Sequence, residues 1–213
     1  MGKIKQGVLG GFSGKVGNVV GGSWKGIAYM RIKPSSVANP KTDLQLDQRA
    51  RFALLMRFLQ PLTQFLKVGF KNYAVKMTAF NSAMSYNFRN AIIGDYPDCM
   101  LDYPNAMVSK GTLAPARNQQ AESTAAGSIT FSWDDNSDEG NASPLDKTLI
   151  VAFNEVKGEA IFQVQPTDRS ATTKTITVPS SFSSDTVHCY IAFISVDGKL
   201  LSNSKYAGAV TVL

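Results

Sequence analysis

The sequence predicts an α+β protein in which an N-terminal β-hairpin and helices are followed by an antiparallel β-sandwich. Three observations predict it. Glycines punctuate short β-prone runs up to residue 33. Apolar residues then recur at three- and four-residue intervals between Thr42 and Ile93. Beyond about residue 118 the apolar period changes to two, with polar turns between the runs. With 213 residues, 44% hydrophobic and 18% charged, the chain is long and apolar enough to pack a core.

The expected hairpin lies in residues 1–33. Runs at 16–20 and 27–32 flank Gly21-Gly22-Ser23-Trp24-Lys25-Gly26, which reads as a loose turn, and Pro34 ends the segment. Helices follow over about 42–93. Thr42-Asp43-Leu44-Gln45 places a threonine hydroxyl and a glutamine amide as a capping box. Leu44, Phe52, Leu55, Leu59, Leu62 and Leu66 form one apolar stripe, with Arg49 and Lys67 off it. Pro61 must kink this helix or open a second one, because its ring removes a backbone donor and crowds the preceding turn. A further helix over about 78–93 carries Phe80, Met84 and Phe88 on one face, with Gly94 closing it.

Prolines 97, 104 and 115 break residues 94–117 into a connector, with one strand expected near 106–109. Next come Ile129, Phe131 and Trp133, then Leu149, Val151 and Phe153, then Ile176 and Val178. Each group recurs at every second position and reads as a half-buried strand. Residues 186–196 are apolar at nearly every position, as in a central strand covered on both sides. Asp197-Gly198 is a hairpin turn leading to a last strand at 209–213. The expected division is a basic region, 1–117, and a sandwich, 118–213, long enough to fold alone.

Charge divides the chain in the same way. Residues 1–117 carry 16 Lys and Arg against 5 Asp, whereas residues 118–213 carry 6 against 11 acidic residues. A basic half favours anionic surfaces, either nucleic acid or the acidic half of another copy. No apolar run approaches the ~18 residues of a membrane-spanning helix, so no membrane insertion is expected. Lys3 and Lys5 stand where a signal peptide has its basic region, but glycines from Gly7 to Gly22 interrupt any apolar core. Cytoplasmic synthesis without a signal peptide is expected.

Enzyme chemistry is not expected. One histidine, His188, and two cysteines, Cys99 and Cys189, are too few for a structural zinc site or a disulfide framework. His188 and Cys189 are adjacent in a strand and face opposite ways, which excludes a nucleophile pair. Gly10-Gly11-Phe12-Ser13-Gly14-Lys15-Val16 looks like a phosphate-binding loop but is one residue short, with Val16 where a magnesium-binding Ser or Thr belongs. In Asp134-Asp135-Asn136-Ser137-Asp138-Glu139-Gly140, Glu139 replaces a calcium loop's glycine and Leu145 its bidentate glutamate, so an acidic solvated turn is expected. Asp95 and Asp98 lack any feature marking them as an acid–base pair. No catalytic residue, cofactor or metal is expected.

Several segments resemble a known family. They are the glycine-rich stretch 3–20, residues 24–33, Asn39-Pro40-Lys41-Thr42 with Gln48, Arg49 and Phe52, Val108-Ser109-Lys110-Gly111, and Val187-His188-Cys189-Tyr190 through Ser204-Lys205-Tyr206-Ala207-Gly208. Together they are similar to domain of unknown function family 6266, of Gram-negative bacterial proteins, over essentially its full length. Ser128-Ile129-Thr130-Phe131-Ser132-Trp133, residues 187–195 and the Asp197-Gly198 turn resemble strands of immunoglobulin or fibronectin type III-like modules, implying an immunoglobulin-like sandwich. The basic hairpin followed by Asn-Pro-x-Thr is similar to small structural proteins of tailed phages and prophages. The family resemblance implies the two-part layout and supplies no catalytic positions.

The assembly or anion-binding candidates are Lys15, Trp24, Lys25, Ile27, Tyr29, Arg31, Ile32 and Lys33. A hairpin too small to be stable alone gains a core by docking on a neighbouring subunit. Lysines on an exposed edge also keep it from aggregating, and Lys and Arg beside aromatic rings suit phosphate contact and base stacking. The expected function is a non-enzymatic structural or interaction subunit of a larger assembly, by resemblance a phage or prophage virion or tail-type component. Its expected partners are other copies of itself or other structural subunits. The alternative is a cytoplasmic nucleic-acid-binding protein that uses the basic N-terminal region.

Overall fold

The computed structural model describes residues 2–3, 11–24, 26–36, 39 and 41–213. The chain mixes helices with several antiparallel sheets and divides into two compact units, Met1–Lys41 and Thr42–Leu213.

The first unit is a sheet of strands β1 (Gly2–Lys3), β2 (Gly14–Val16), β3 (Val19–Trp24) and β4 (Ile27–Ile32), in the order β1-β4-β3-β2. The expected hairpin is enlarged to four strands, and its turn moves. Gly17 and Asn18 turn the chain between β2 and β3, so 16–20 is not one strand. Gly21 and Gly22, expected in the loose turn, lie inside β3, and the chain reverses between Trp24 and Ile27. The reason is close approach: a Cβ on Gly21 would lie 2.4 Å from the Phe12 carbonyl oxygen.

The second unit begins with helices α1 (Asp43–Leu59), α2 (Thr63–Gly69) and α3 (Ala79–Asn90). Thr42 caps α1 through its carbonyl, which accepts from the Gln45 and Leu46 N–H groups, but its hydroxyl makes no capping bond and the expected box does not form. At α3 the Thr78 hydroxyl does cap, accepting from the Asn81 N–H at 3.1 Å. Pro61 lies in the break between α1 and α2. Leu55, Leu59, Leu62 and Leu66 are buried, whereas Leu44 (80% exposed) and Phe52 (52%) are not. Periodicity shows which residues share a face, not how far along the helix its partner extends. Here α1 meets the core only from Leu54 onward. Beyond α3, β5 (Ile92–Ile93) pairs with β6 (Met100–Leu101), so the helix stops short of the expected 93. Residues 106–109 are not a strand but are tied down by hydrogen bonds. The Val108 N–H donates to Ser204 Oγ, and Ser109 Oγ donates to the Ser202 carbonyl, both at 2.9 Å.

The remaining strands are β7 (Gln120–Glu122), β8 (Ser128–Ser132), β9 (Lys147–Asn154), β10 (Glu159–Asp168), β11 (Thr173–Thr177), β12 (Thr186–Ile194) and β13 (Lys205–Thr211). They form a four-stranded antiparallel sheet, β10-β9-β12-β13, and a three-stranded one, β11-β8-β7. β7 and β10 were not expected, and the last strand starts at Lys205 rather than 209.

Two apolar clusters fill this unit. Ile150, Ala152, Cys189, Ile191 and Phe193 of the larger sheet pack with Ile129, Phe131 and Ile176 of the smaller one. On the opposite face, Leu149, Val151, Phe153, Tyr190, Ala192 and Ile194 pack with Leu55, Phe58 and Leu59 of α1 and with Phe65 and Leu66 of α2. Phe58 meets Phe153 edge-on, ring centroids 5.0 Å apart. β9 and β12 are therefore buried on both faces, and the expectation that β9 is half-buried is corrected. The boundary expected at 117/118 does not separate compact units either, because the helices supply one of the two coats of the larger sheet.

A buried arginine ties the far end of this unit together. Arg169 is fully buried and ion-paired to Asp146 at 3.2 Å. It donates to Asn136 Oδ1 at 2.6 Å and to the Ala114 carbonyl at 2.9 Å, and lies 3.8 Å over the Phe193 ring. The buried Trp133 indole N–H donates to the Arg169 carbonyl at 2.7 Å.

Candidate functional site

The candidate residues of the first unit are distributed by strand register. Because paired residues share a face and neighbours alternate, the pairings Lys15↔Val20↔Arg31, Gly22↔Tyr29 and Trp24↔Ile27 place Lys15, Arg31, Tyr29, Trp24 and Ile27 on one face. Lys15 and Arg31 flank Val20 two strand spacings apart, about 10 Å. The Tyr29 ring lies across Gly22, where a Cβ would stand 3.0 Å from its hydroxyl. Ile32 is on the opposite face, in a row with Val16 and Val19 and near Met30. Lys33 follows β4, its N–H bonded to the Asn18 carbonyl at 2.7 Å. Lys25 and Gly10 lie outside the described residues.

Apolar side chains are exposed on both faces. Trp24 is 63% exposed and Ile32 77%, and Val16, Ile27 and Met30 are exposed too. Among the described residues of this unit only Gly21 is buried. Among its described side chains the sheet thus presents Lys15, Arg31, Tyr29 and Trp24 on one side, and on the other an aliphatic row beside the Phe12 ring, which lies over Gly21. Val16, expected at the end of a loop, sits in β2.

The second unit holds a polar network that no local pattern announces. His188 stacks on Tyr103 with centroids 3.5 Å apart and planes 8° apart. Its Nδ1 is 2.9 Å from the Tyr206 hydroxyl and its Nε2 is 3.3 Å from Glu155 Oε2. A proton on Nε2 satisfies both contacts, the imidazole donating to the carboxylate and accepting from the phenol. Burial pushes the His188 pKa down, partly opposed by Glu155, so the neutral ring is favoured. Burial likewise raises the phenols of Tyr103, Tyr190 and Tyr206, with Glu155 adding to the effect at Tyr103. Tyr190 donates to the Tyr103 carbonyl at 2.9 Å, and Arg57 donates to the Glu155 and Val156 carbonyls, both at 2.9 Å. The cavity beside the network, lined by Arg57, Tyr103 and Glu155, is about 40 Å³. That is room for a few water molecules at most. The arrangement orients donors and acceptors rather than exposing a reactive group.

Cys189 is buried between the sheets, where burial pushes its thiol up to about 12, and Cys99 is half-buried; both are free thiols. In the acidic turn, Asp134 accepts from the Asn118 amide, Asp135 from the Ser137 N–H, and Glu139 pairs with Arg117. Asp95 pairs with Arg51 at 3.1 Å. Among the described residues, no group of three or more His, Cys, Asp or Glu side chains is placed to hold a metal ion. No described helix is long and apolar enough to cross a membrane.

Residues 11–208 match a family of unknown function, DUF6266. The chain belongs to that family. No curated protein matches it. Among solved structures, the fn3 domain of the human collagen alpha-1(XX) chain is similar at 14% identity, covering 49% of this chain and 91% of that one, with a TM-score of 0.35.

Proposed function

We propose that this DUF6266 protein is a non-enzymatic structural or interaction subunit of a larger assembly, of the virion or tail-component kind. In this reading the first unit docks on other copies or other structural subunits, and residues 118–213 are the immunoglobulin-like part of the body that carries it. One observation carries the proposal: a sheet of short strands exposes apolar side chains on both faces and, among its described residues, buries only Gly21. Small sheets need a covered hydrophobic face for stability, and a partner surface supplies one. Charge sets direction, since residues 1–41 contain seven basic and no acidic residues while residues 118–213 are net acidic.

Sedimentation velocity of the full chain tests this. Association that rises with protein concentration and is lost in Val16→Ser/Ile32→Ser is the expected result. A monomer at every concentration and salt level, with no structural partner recovered by crosslinking through Trp24 or Ile32 positions, would overturn it.

A second reading has its own support. Lys15, Arg31, Trp24 and Tyr29 share a face in a pattern suited to a nucleic acid backbone and its bases. Binding of single-stranded DNA or RNA that weakens steeply with salt and is lost in Lys15→Gln/Arg31→Gln would put this reading first.

A further inference from the structure

We propose that the cleft around Lys110 in the second unit binds a small organic phosphate monoester. The cleft is about 220 Å³ and lies between α3, the chain following α2 and the connector. This is below the ~300–1,000 Å³ of sites for drug-sized ligands, so the fitting ligand is a phosphate bearing a single ring or a short chain.

The site is built from three sources. Lys110 comes from the connector, where its N–H donates to the Gly69 carbonyl at 2.9 Å and the neighbouring Ser109 is buried and hydrogen-bonded. Its ammonium is 4.7 Å from the centroids of both Tyr73 and Tyr86, so two rings hold the charge in place. From α3 come Ser82, Ser85 and Arg89, at spacings of three and four that put them on one helix face lining the cleft. Exposed Met77 provides an apolar wall.

Charge selects the ligand. No acidic residue lines the cleft, and among the described residues neither Lys110 nor Arg89 is ion-paired to a carboxylate. From Gln48 to Gly94 the chain has seven basic residues and no acidic one, so the surrounding helical layer adds to the positive potential. Two unmatched cations suit a dianion better than a carboxylate. A guanidinium fork and serine hydroxyls match the several acceptor oxygens of a phosphate. The tyrosine rings and Met77 then take the organic group.

Titration of the full chain with phenyl phosphate, inorganic phosphate and benzoate at constant ionic strength, read by calorimetry and by amide NMR shifts, tests the proposal. Phenyl phosphate is expected to bind saturably with one-to-one stoichiometry, shifting the amides of residues 82–90 and 109–111. It should bind at least tenfold more tightly than the other two probes. Lys110→Gln should weaken it at least tenfold, as should Arg89→Gln, whose exposed position leaves the fold undisturbed. Lys174→Gln, on the three-stranded sheet, should change nothing. Non-saturating shifts, an equal loss in Lys174→Gln, or benzoate binding as tightly as phenyl phosphate would each overturn the assignment. Equal affinity for inorganic phosphate would overturn its organic part.

Discussion

In residues 1–41, seven basic residues and no acidic one accompany a sheet in which Gly21 is the only buried residue among those described. In residues 42–213, fifteen basic residues are balanced by sixteen acidic ones, and two apolar clusters coat both faces of one sheet. The two units draw their stability from different sources. The larger unit removes whole aromatic rings from water on two sides of β9 and β12, each worth about 1.5–3 kcal/mol or more. The smaller unit has backbone ladders and close glycine contacts, and among its described residues Val16, Ile27, Met30 and Ile32 keep exposed apolar surface that another surface can cover.

The largest expected effect is that of removing the helices from the larger unit. Residues 118–213 expressed alone would expose Leu149, Val151, Phe153, Tyr190, Ala192 and Ile194. That fragment is expected to lack cooperative unfolding and to aggregate, whereas a chain starting at Thr42 retains both clusters and should melt in one transition. Cooperative melting of 118–213 would restore the expected boundary.

Phe58→Ala removes a fully buried ring that touches Phe153, Tyr103 and Tyr190. It should cost about 3–5 kcal/mol in urea unfolding. Arg169→Met should cost a similar ~3–5 kcal/mol, because it strands the carboxylate of the buried Asp146. A double change of Arg169→Met with Asp146→Leu should recover most of that loss, and failure to do so would assign the effect to packing rather than charge.

A smaller effect is expected with pH. His188 has a folded-state pKa below its ordinary value, chiefly through burial. The folded state therefore binds fewer protons than the unfolded state as pH falls through the ordinary histidine range of about 6.5. Its contribution is complete above that range and declines below it, with a slope of at most ~1.4 kcal/mol per pH unit. Unfolding between pH 7.5 and 5.5 should show this slope, and His188→Gln should flatten it. The smallest effect belongs to the first unit: Ile32→Ser should change the stability of the larger unit by less than about 0.5 kcal/mol while altering association.

Much of the local structure was legible in the chain itself. The nearly continuous apolar run in 186–196 marked a strand buried on both faces, and Ile129 and Phe131 marked a strand with one inward face. Phe80, Met84 and Phe88 marked one packed side of α3, whose buried positions are Ala79, Ala83, Met84 and Asn87, with Phe80 and Phe88 partly buried. The candidate site was legible as composition only. That Lys15, Arg31, Tyr29, Trp24 and Ile27 share a face while Ile32 does not depends on pairing register, and a slip of one residue would exchange the faces.

Periodicity, turn chemistry and charge are readable from the chain alone, because each is a relation among residues a few positions apart. Tertiary folding covered β9 on its second face, left Leu44 and Phe52 outside the core and completed the larger sheet with β10. It also brought His188 onto Tyr103, Arg169 onto Asp146 and Lys110 between Tyr73 and Tyr86. Burial and pairing are set by whichever distant segments meet when the chain closes, and no short-range pattern encodes which ones those are.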